Sequence, residues 1–366
     1  MAEALRVLHV ITSLGLGGAE GQLTALLTRA PHPDMAPSVA SLLPGGENRE
    51  TLSRAGIAVT DLGMARGIPD PRAVRRLIVA IKRLRPHVLQ SWMYHADLVA
   101  TAAHAILGRA DRPRLVWGIR CSDMDVARYG YALRATIALA ARLSKRPDAV
   151  VVNSEAGRAV HESLGYAPRR FAVIPNGIDV ARFRPDPTLR AAVRRELGVA
   201  EGAILAIHVA RRDPMKDHET FLAALDMTPG ITGLAVGLGT ERLPPRGNLS
   251  ALGVRGDVPR LLAAADFFVS SSAFGEGFSN ALAEAMAAGL PAIATDVGDA
   301  RHIVGEVGAI VPPRDAAALA REMGALAALT PAERRARGET ARTRIAREFP
   351  LTRAAERFAT LYRSLV

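Results

Sequence analysis

The chain has 366 residues, 49% of them hydrophobic, with 32 glycines, 23 prolines and a formal net charge of +11. That length suits about two domains of ordinary size, and such an apolar content argues against intrinsic disorder. The one cysteine, Cys121, excludes an internal disulfide and suits a reducing compartment.

In chain order, the N-terminus MAEALRVLHVITSLG has one early Arg and a short β-branched apolar run, which reads as a first strand rather than a signal peptide. Glycine-rich SLGLGG leads into a helix over GGAEGQLTALLTRA. Strand SVASLL, a helix near PRAVRRLIVAIKRL, strand HVLQSW, helix ADLVATAAHAIL, strand RLVWGI, helix YALRATIALAARLS and strand AVVVN follow. Strand RFAVIP then runs into NGIDVARFRPD, a turn-rich segment that suits a hinge. The alternation restarts with AILAIHVA (strand), a helix near HETFLAALD, ITGLAVGL (strand), VPRLLAAA (helix), DFFVSSS (strand), NALAEAMAA (helix) and PAIATD (strand), and C-terminal helices close the chain. Strands alternating with helices are the pattern of parallel α/β folds. The reading is two doubly wound domains with a cleft between them: 1–175, 176–345, and a C-terminal helix over 346–366 that packs back toward the first. No apolar run approaches the roughly 18 residues of a membrane span, so the expectation is a soluble, cytoplasmic protein.

The charge is unevenly placed. Residues 1–175 hold 23 basic and 14 acidic residues, net +9, whereas 176–366 hold 24 and 22, net +2. A basic first half suggests an anionic surface or substrate on that side. Only Lys82, Lys145 and Lys216 are lysines, so a bias toward Arg accounts for part of the basicity.

Two constellations carry chemistry. In GEGFSNALAEAMAAGLP, residues 275–291, Glu276 precedes a helix start and Glu284 lies more than a turn inside it, with Ser279 at the N-cap position and Gly289 and Pro291 as stops. The stretch follows strand DFFVSSS, and strand C-termini are where open α/β sheets bind ligands. Backbone N–H groups of Phe278, Ser279 and Asn280 at the helix start suit phosphate oxygens or sugar hydroxyls. The two carboxylates accept hydroxyl protons from separate parts of one long ligand, at about 1.5 to 3 kcal/mol per charge-assisted bond; a loop charge and a solvated helix residue fit the spacing equally. The second is HVARRDPMKDHETF, which places Arg211 and Lys216 in the loop after a strand. Two cations there can neutralise a diphosphate leaving group, and solvated loop charges are the plain alternative.

With these motifs in order, the sequence resembles a glycosyltransferase of family 4, over nearly its whole length. TSLGLGGAE is similar to the family's N-terminal glycine loop, VIPNGIDVARFRPD to its interdomain segment, ARRDPMK to its diphosphate clamp and GEGFSNALAEAMAAGLP to its glutamate pair. The resemblance implies the GT-B fold of two facing Rossmann-like domains and sugar transfer with retention. It implies that Arg211 and Lys216 hold the diphosphate, that Glu276 contacts the donor sugar beside Phe278, Ser279 and Asn280, and that Glu284 binds the ribose. Backbone around Val254 and Arg255 meets the base, Gly17 and Gly18 let their loop approach the phosphates, and His95 stands near the reacting sugar. Arg120 is an acceptor or phosphate candidate, with a surface or core salt bridge as the alternative. No cofactor and no metal is implied; the donor is a nucleotide sugar, UDP-linked in the commoner case. Three positions depart from the pattern: Gly21 stands in an Arg position, Gly298 and Asp299 replace a glycine pair, and His302 replaces an acidic residue.

Other classes fit less well. Gly15, Gly17 and Glu20 miss the Gly-x-Gly-x-x-Gly spacing of a nicotinamide dehydrogenase. Asp123, Met124 and Asp125 mimic a metal-binding Asp-x-Asp, but far in sequence from the clamp. A nucleoside-diphosphate-sugar epimerase shares the two-domain shape and differs in having no acceptor. A nucleic-acid partner is not expected, because aromatics make up only 4% and no basic stripe interleaves with them. For the acceptor the expectation is a glycan or lipid-linked molecule of bacterial polysaccharide or glycolipid assembly. Val74, Leu77, Ile78, Ile81 and Leu84 form one helical face with Arg72, Arg75, Arg76, Lys82, Arg83 and Arg85 mostly off it, which is either a core face with a solvated one or a peripheral contact with anionic membrane.

Overall fold

A computed structural model describes residues 4–65, 70–121, 130–200 and 202–366. The chain divides into two compact units, Met1–Gly177 with Leu351–Val366, and Ile178–Pro350.

In the first unit seven parallel strands form one sheet in the order β3-β2-β1-β4-β5-β6-β7. They are β1 (Leu5–Ile11), β2 (Met35–Ser41), β3 (Val59–Asp61), β4 (Val88–Trp92), β5 (Arg114–Ile119), β6 (Ala149–Val152) and β7 (Phe171–Val173). The helices between them are α1 (Gly18–Arg29), α2 (Glu47–Arg54), α3 (Pro71–Leu84), α4 (Tyr94–Ile106), α5 (Tyr131–Leu143) and α6 (Glu155–Ser163). A sheet covered on both faces needs apolar residues at odd and even positions alike. Accordingly Leu8, Leu89, Leu115 and Val150 fill one face while Val7, Val88, Val116 and Val151 fill the other. α3 lies where a helix is expected, and its ends are set because Asp70 accepts from Arg72 N at 2.8 Å, Pro71 opens the helix and Arg85 ends it in the left-handed region.

The second unit has six parallel strands in the order β10-β9-β8-β11-β12-β13. These are β8 (Ile204–Val209), β9 (Ile231–Val236), β10 (Leu249–Ala251), β11 (Phe267–Ser270), β12 (Ala292–Thr295) and β13 (Ala309–Val311). Its helices are α7 (Pro187–Glu196), α8 (His218–Asp226), α9 (Val258–Ala264), α10 (Asn280–Ala287), α11 (Ala300–Val304), α12 (Ala316–Ala328) and α13 (Pro331–Glu348).

Both domain boundaries move from their predicted places. The second unit ends at Pro350, not 345, because α13, opened by a capping box between Thr330 and Glu333, stays helical to Glu348. The first junction falls after Gly177 rather than 175. The C-terminal helix α14 (Leu351–Arg363) belongs to the first unit as expected: Phe358 and Tyr362 enter its core, and the Tyr362 hydroxyl donates to Gln90 Oε1 at 2.9 Å. Among the described residues no helix is long and apolar enough to cross a membrane.

Candidate active site

In each sheet the strand order reverses at one place, between β1 and β4 in the first unit and between β8 and β11 in the second. Loops leaving neighbouring strands there diverge to opposite faces and open a crevice at the strands' carboxyl ends, where open α/β sheets bind ligands.

At the second unit's crevice the loop after β8 carries Arg211 and Lys216, and the loop after β11 carries Glu276. The Lys216 ammonium pairs with Glu276 Oε1, and the Ser272 hydroxyl donates to the same oxygen at 2.7 Å. Glu276 is 9% exposed. Burial alone raises a carboxyl, but Lys216, Ser272 and then Arg211 outweigh it and hold Glu276 below its ordinary value. Arg211 is itself paired with Asp213 at 3.2 Å, on a side chain 59% exposed. The structure therefore joins three residues that the sequence separates, and adds Ser272 and Asp213. Ser272 lies two residues past the end of β11 and Asp213 lies inside the Arg211–Lys216 loop, so strand-end position was the available signal for both.

Two backbone features fix this geometry. Asp217 takes a left-handed φ of 46° at the cap of α8, where its side chain accepts from Thr220 N. Gly298 has φ 60°, and a Cβ there would run into the Glu276 carbonyl; the unusual Gly298-Asp299 pair thus keeps a glycine where the backbone must approach. Asp299 N donates to Gly277 O at 3.1 Å, tying the two loops.

α10 begins at Asn280 with Ser279 at the N-cap position, but the Ser279 side chain makes no capping bond, correcting that part of the sequence reading. Phe278 is a core residue, edge-on to Phe349 at 5.2 Å, which leaves only its backbone for a ligand. Glu284 is half-buried on the same helix, one turn beyond Asn280. Val254 is exposed, and Arg255 is held above its ordinary value by hydrogen bonds to Asp257 and Glu196. His302 stacks edge-on to Phe349.

At the first unit's crevice β1 leads to Gly17, the N-cap residue of α1, and Gly18, its first residue. A Cβ on Gly17 would meet only the movable Glu20 carboxylate, and one on Gly21 nothing at all. β4 leads to His95, exposed at the second position of α4, with partial burial lowering its imidazole. The preceding Met93 has φ 73°, a costly conformation for a non-glycine residue, and its N–H donates to Gly118 O. Arg120, just after β5, is largely enclosed and among the described residues forms no salt bridge. It lies 4.6 Å over the Trp92 ring and 5.2 Å from that of Phe358, and donates to Ile174 O and Asn176 Oδ1. Burial lowers its guanidinium to about 10, with Tyr362 acting in the opposite sense. Asp123, Met124 and Asp125 lie outside the described residues.

The chain is similar to known proteins in sequence and in fold. Residues 16–182 match a family model described as Glycosyltransferase Family 4, and residues 206–328 one described as Glycosyl transferases group 1. D-inositol 3-phosphate glycosyltransferase of Geodermatophilus obscurus is 34% identical over 209 residues, covering 50% of this chain and 46% of that protein. Phosphatidyl-myo-inositol mannosyltransferase of Mycolicibacterium smegmatis is 32% identical over 185 residues, covering 47% and 46%. The chain thus spans about half the length of the curated relatives it matches. The structure of Anabaena HepE in complex with UDP and glucose has a TM-score of 0.84 to this one, over 99% of this chain and 100% of that one, at 23% identity. The two Rossmann-like units are those of the GT-B fold, and, with a glycosyltransferase model on each of them, the chain belongs to glycosyltransferase family 4.

Proposed function

We propose that the chain transfers a sugar, with retention at the anomeric carbon and without a metal ion, from a UDP-linked donor to a glycan or lipid-linked acceptor in bacterial polysaccharide or glycolipid assembly. The observation that carries this reading is the convergence of Lys216, Glu276 and Arg211 at the β8/β11 crevice. An ammonium has three donors; Lys216 gives one to Glu276 and keeps two for a phosphate. Glu276 uses Oε1 for Lys216 and Ser272, leaving Oε2 to accept from a sugar hydroxyl. One ion pair thereby sets the diphosphate beside the sugar it leaves. As the glycosidic bond lengthens, positive charge grows on the sugar and negative charge on the diphosphate, and Lys216 with Arg211 stabilises the latter. Glu284, one helical turn past Asn280, takes the ribose hydroxyls. His95, exposed at the start of α4, is the residue for the reacting sugar.

A thermal-shift panel of nucleotide sugars tests this, since a ligand of the folded state alone raises apparent stability by mass action. A UDP-sugar should give the largest shift, and Glu284→Ala should reduce it; an unchanged shift would refute the ribose contact.

The same proposal includes peripheral contact with anionic membrane through α3. Its apolar side, Ala73, Leu77, Ala80 and Ile81, is buried in the core, so contact rests on outward cations such as Arg72 and Arg75. Each contributes about 1 kcal/mol near an anionic surface and is screened by salt. Arg72→Glu with Arg75→Glu should abolish binding to phosphatidylglycerol vesicles at low salt while leaving UDP affinity intact. Sedimentation with vesicles checks this, and equal binding by wild type and variant would remove the membrane contact.

A further inference from the structure

Two adjacent serines leave β11 toward the crevice. Ser272 serves the Glu276 carboxylate, whereas Ser271 is fully buried and faces the other partner of the ion pair. Its Oγ lies 3.0 Å from Lys216 O, 2.9 Å from Asp217 O and 3.1 Å from His208 Nε2. A hydroxyl has one hydrogen. Both carbonyls can only accept, so that hydrogen is committed to them, and His208 must supply the third bond from Nε2–H. The assignment fixes the His208 tautomer and agrees with its surroundings: Nδ1 is buried without a partner, and the ring stacks on Phe221 at 5.0 Å and edge-on to His218 at 4.6 Å. Burial first, then His218 and Lys216, keep this imidazole neutral.

We propose that Ser271, oriented by His208, is a positioning residue that sets where the Lys216 ammonium stands against Glu276. The inference rests on the donor-phosphate role proposed for Lys216. The loop needs such an anchor because Asp217 is held at a left-handed φ of 46°, a conformation that persists only when its surroundings over-determine it. A backbone bond from Ala273 N to Met215 O adds a second tie that any residue could make; the tie to the two carbonyls flanking the Asp217 Cα is specific to a hydroxyl at position 271.

The test exploits the chain's three lysines. Limited acetylation read by peptide mass spectrometry reports Lys216, whose side chain is 20% exposed, against the exposed Lys82 and Lys145 in the same sample. In ligand-free wild type, Lys216 should react slowest. In Ser271→Ala its rate should rise about tenfold relative to Lys82 and Lys145, the scale of one lost hydrogen bond. His208→Gln, whose amide N–H can still donate to Ser271, should keep the wild-type ratio. Ser271→Cys, which fills the space with a weaker donor, gives the same reading if circular dichroism shows the alanine variant unfolded. An unchanged Lys216 ratio overturns the proposal. Titration with UDP adds a double-mutant cycle: Ser271→Ala should weaken UDP about tenfold in the wild-type background and not at all beside Lys216→Ala, because the two act as one unit. Equal losses in both backgrounds would mark Ser271 as a general support and overturn its positioning role. Failure of wild type to bind UDP would sink the donor reading itself, with the ligand-free labelling still deciding the place of Ser271.

Discussion

Lys216→Ala is expected to lower turnover by about two to three orders of magnitude, since removing one donor from a preorganised charge-stabilising site costs about 2.7 to 4 kcal/mol in the barrier. The rate to measure is transfer from whichever nucleotide sugar gives the largest thermal shift, and near-normal turnover would remove Lys216 from the chemistry. A second consequence is independent of substrate. In wild type the Lys216 ammonium helps hold the buried Glu276 carboxyl below its ordinary value, so the pair's stabilisation is present above the unfolded carboxyl's value and is lost as pH falls through the folded one. Without the ammonium, burial, the largest influence on Glu276, meets less opposition and the carboxyl moves up. The stability of the variant should therefore fall further behind wild type on going from pH 4 to pH 7.5. Melting curves across that range check the sign, and a pH-independent gap between the two proteins would show that Glu276 does not feel Lys216.

The parts of this molecule legible in sequence are those whose determinants are local. α3 was readable in place because Asp70 and Pro71 start it and a helical period of apolar residues runs through it. α8 likewise lies where a helix is expected, behind Asp217, which caps it. The edge strands β3, β10 and β13 have three residues each, too few to show any period, and they exist because a neighbouring strand offers its backbone. In the site, residue type and strand-end position marked Arg211, Lys216 and Glu276, but their pairing could not be read, because it depends on two loops sixty residues apart meeting where the strand order reverses. Arg120 shows the limit most plainly. The sequence left it between an acceptor or phosphate contact and a salt bridge, yet its environment comes from Trp92 and from Phe358 on α14, two neighbouring rings that no local pattern announces.

The same two strands that carry the site at their carboxyl ends carry an ion cluster at their amino ends, and Asp266→Ala should separate the two. Asp266 precedes β11, and its carboxylate accepts from Leu205 N at 2.8 Å, Arg190 at 2.7 Å and Arg194 at 3.2 Å. Both Arg194 and Asp266 have side chains under a tenth exposed, at 4% and 8%. Arg194 also donates to the carbonyls of Ala264, Ala200 and Ala203, so it joins α7 to the starts of both strands. Losing the carboxylate removes an acceptor that Leu205 N, Arg190 and the buried Arg194 share, and breaking such a buried pair costs about 3 to 5 kcal/mol, a large share of the roughly 5 to 15 kcal/mol that hold a domain together. The urea midpoint of the second unit should drop accordingly. UDP affinity, measured well below that midpoint, should stay within about twofold of wild type, because the Lys216–Glu276 pair and its serines lie at the other end of β8 and β11 and share no partner with Asp266. A parallel loss of stability and affinity would mean instead that the strands transmit strain along their length, and that the crevice owes its geometry to the far end of the sheet as well as to its own loops.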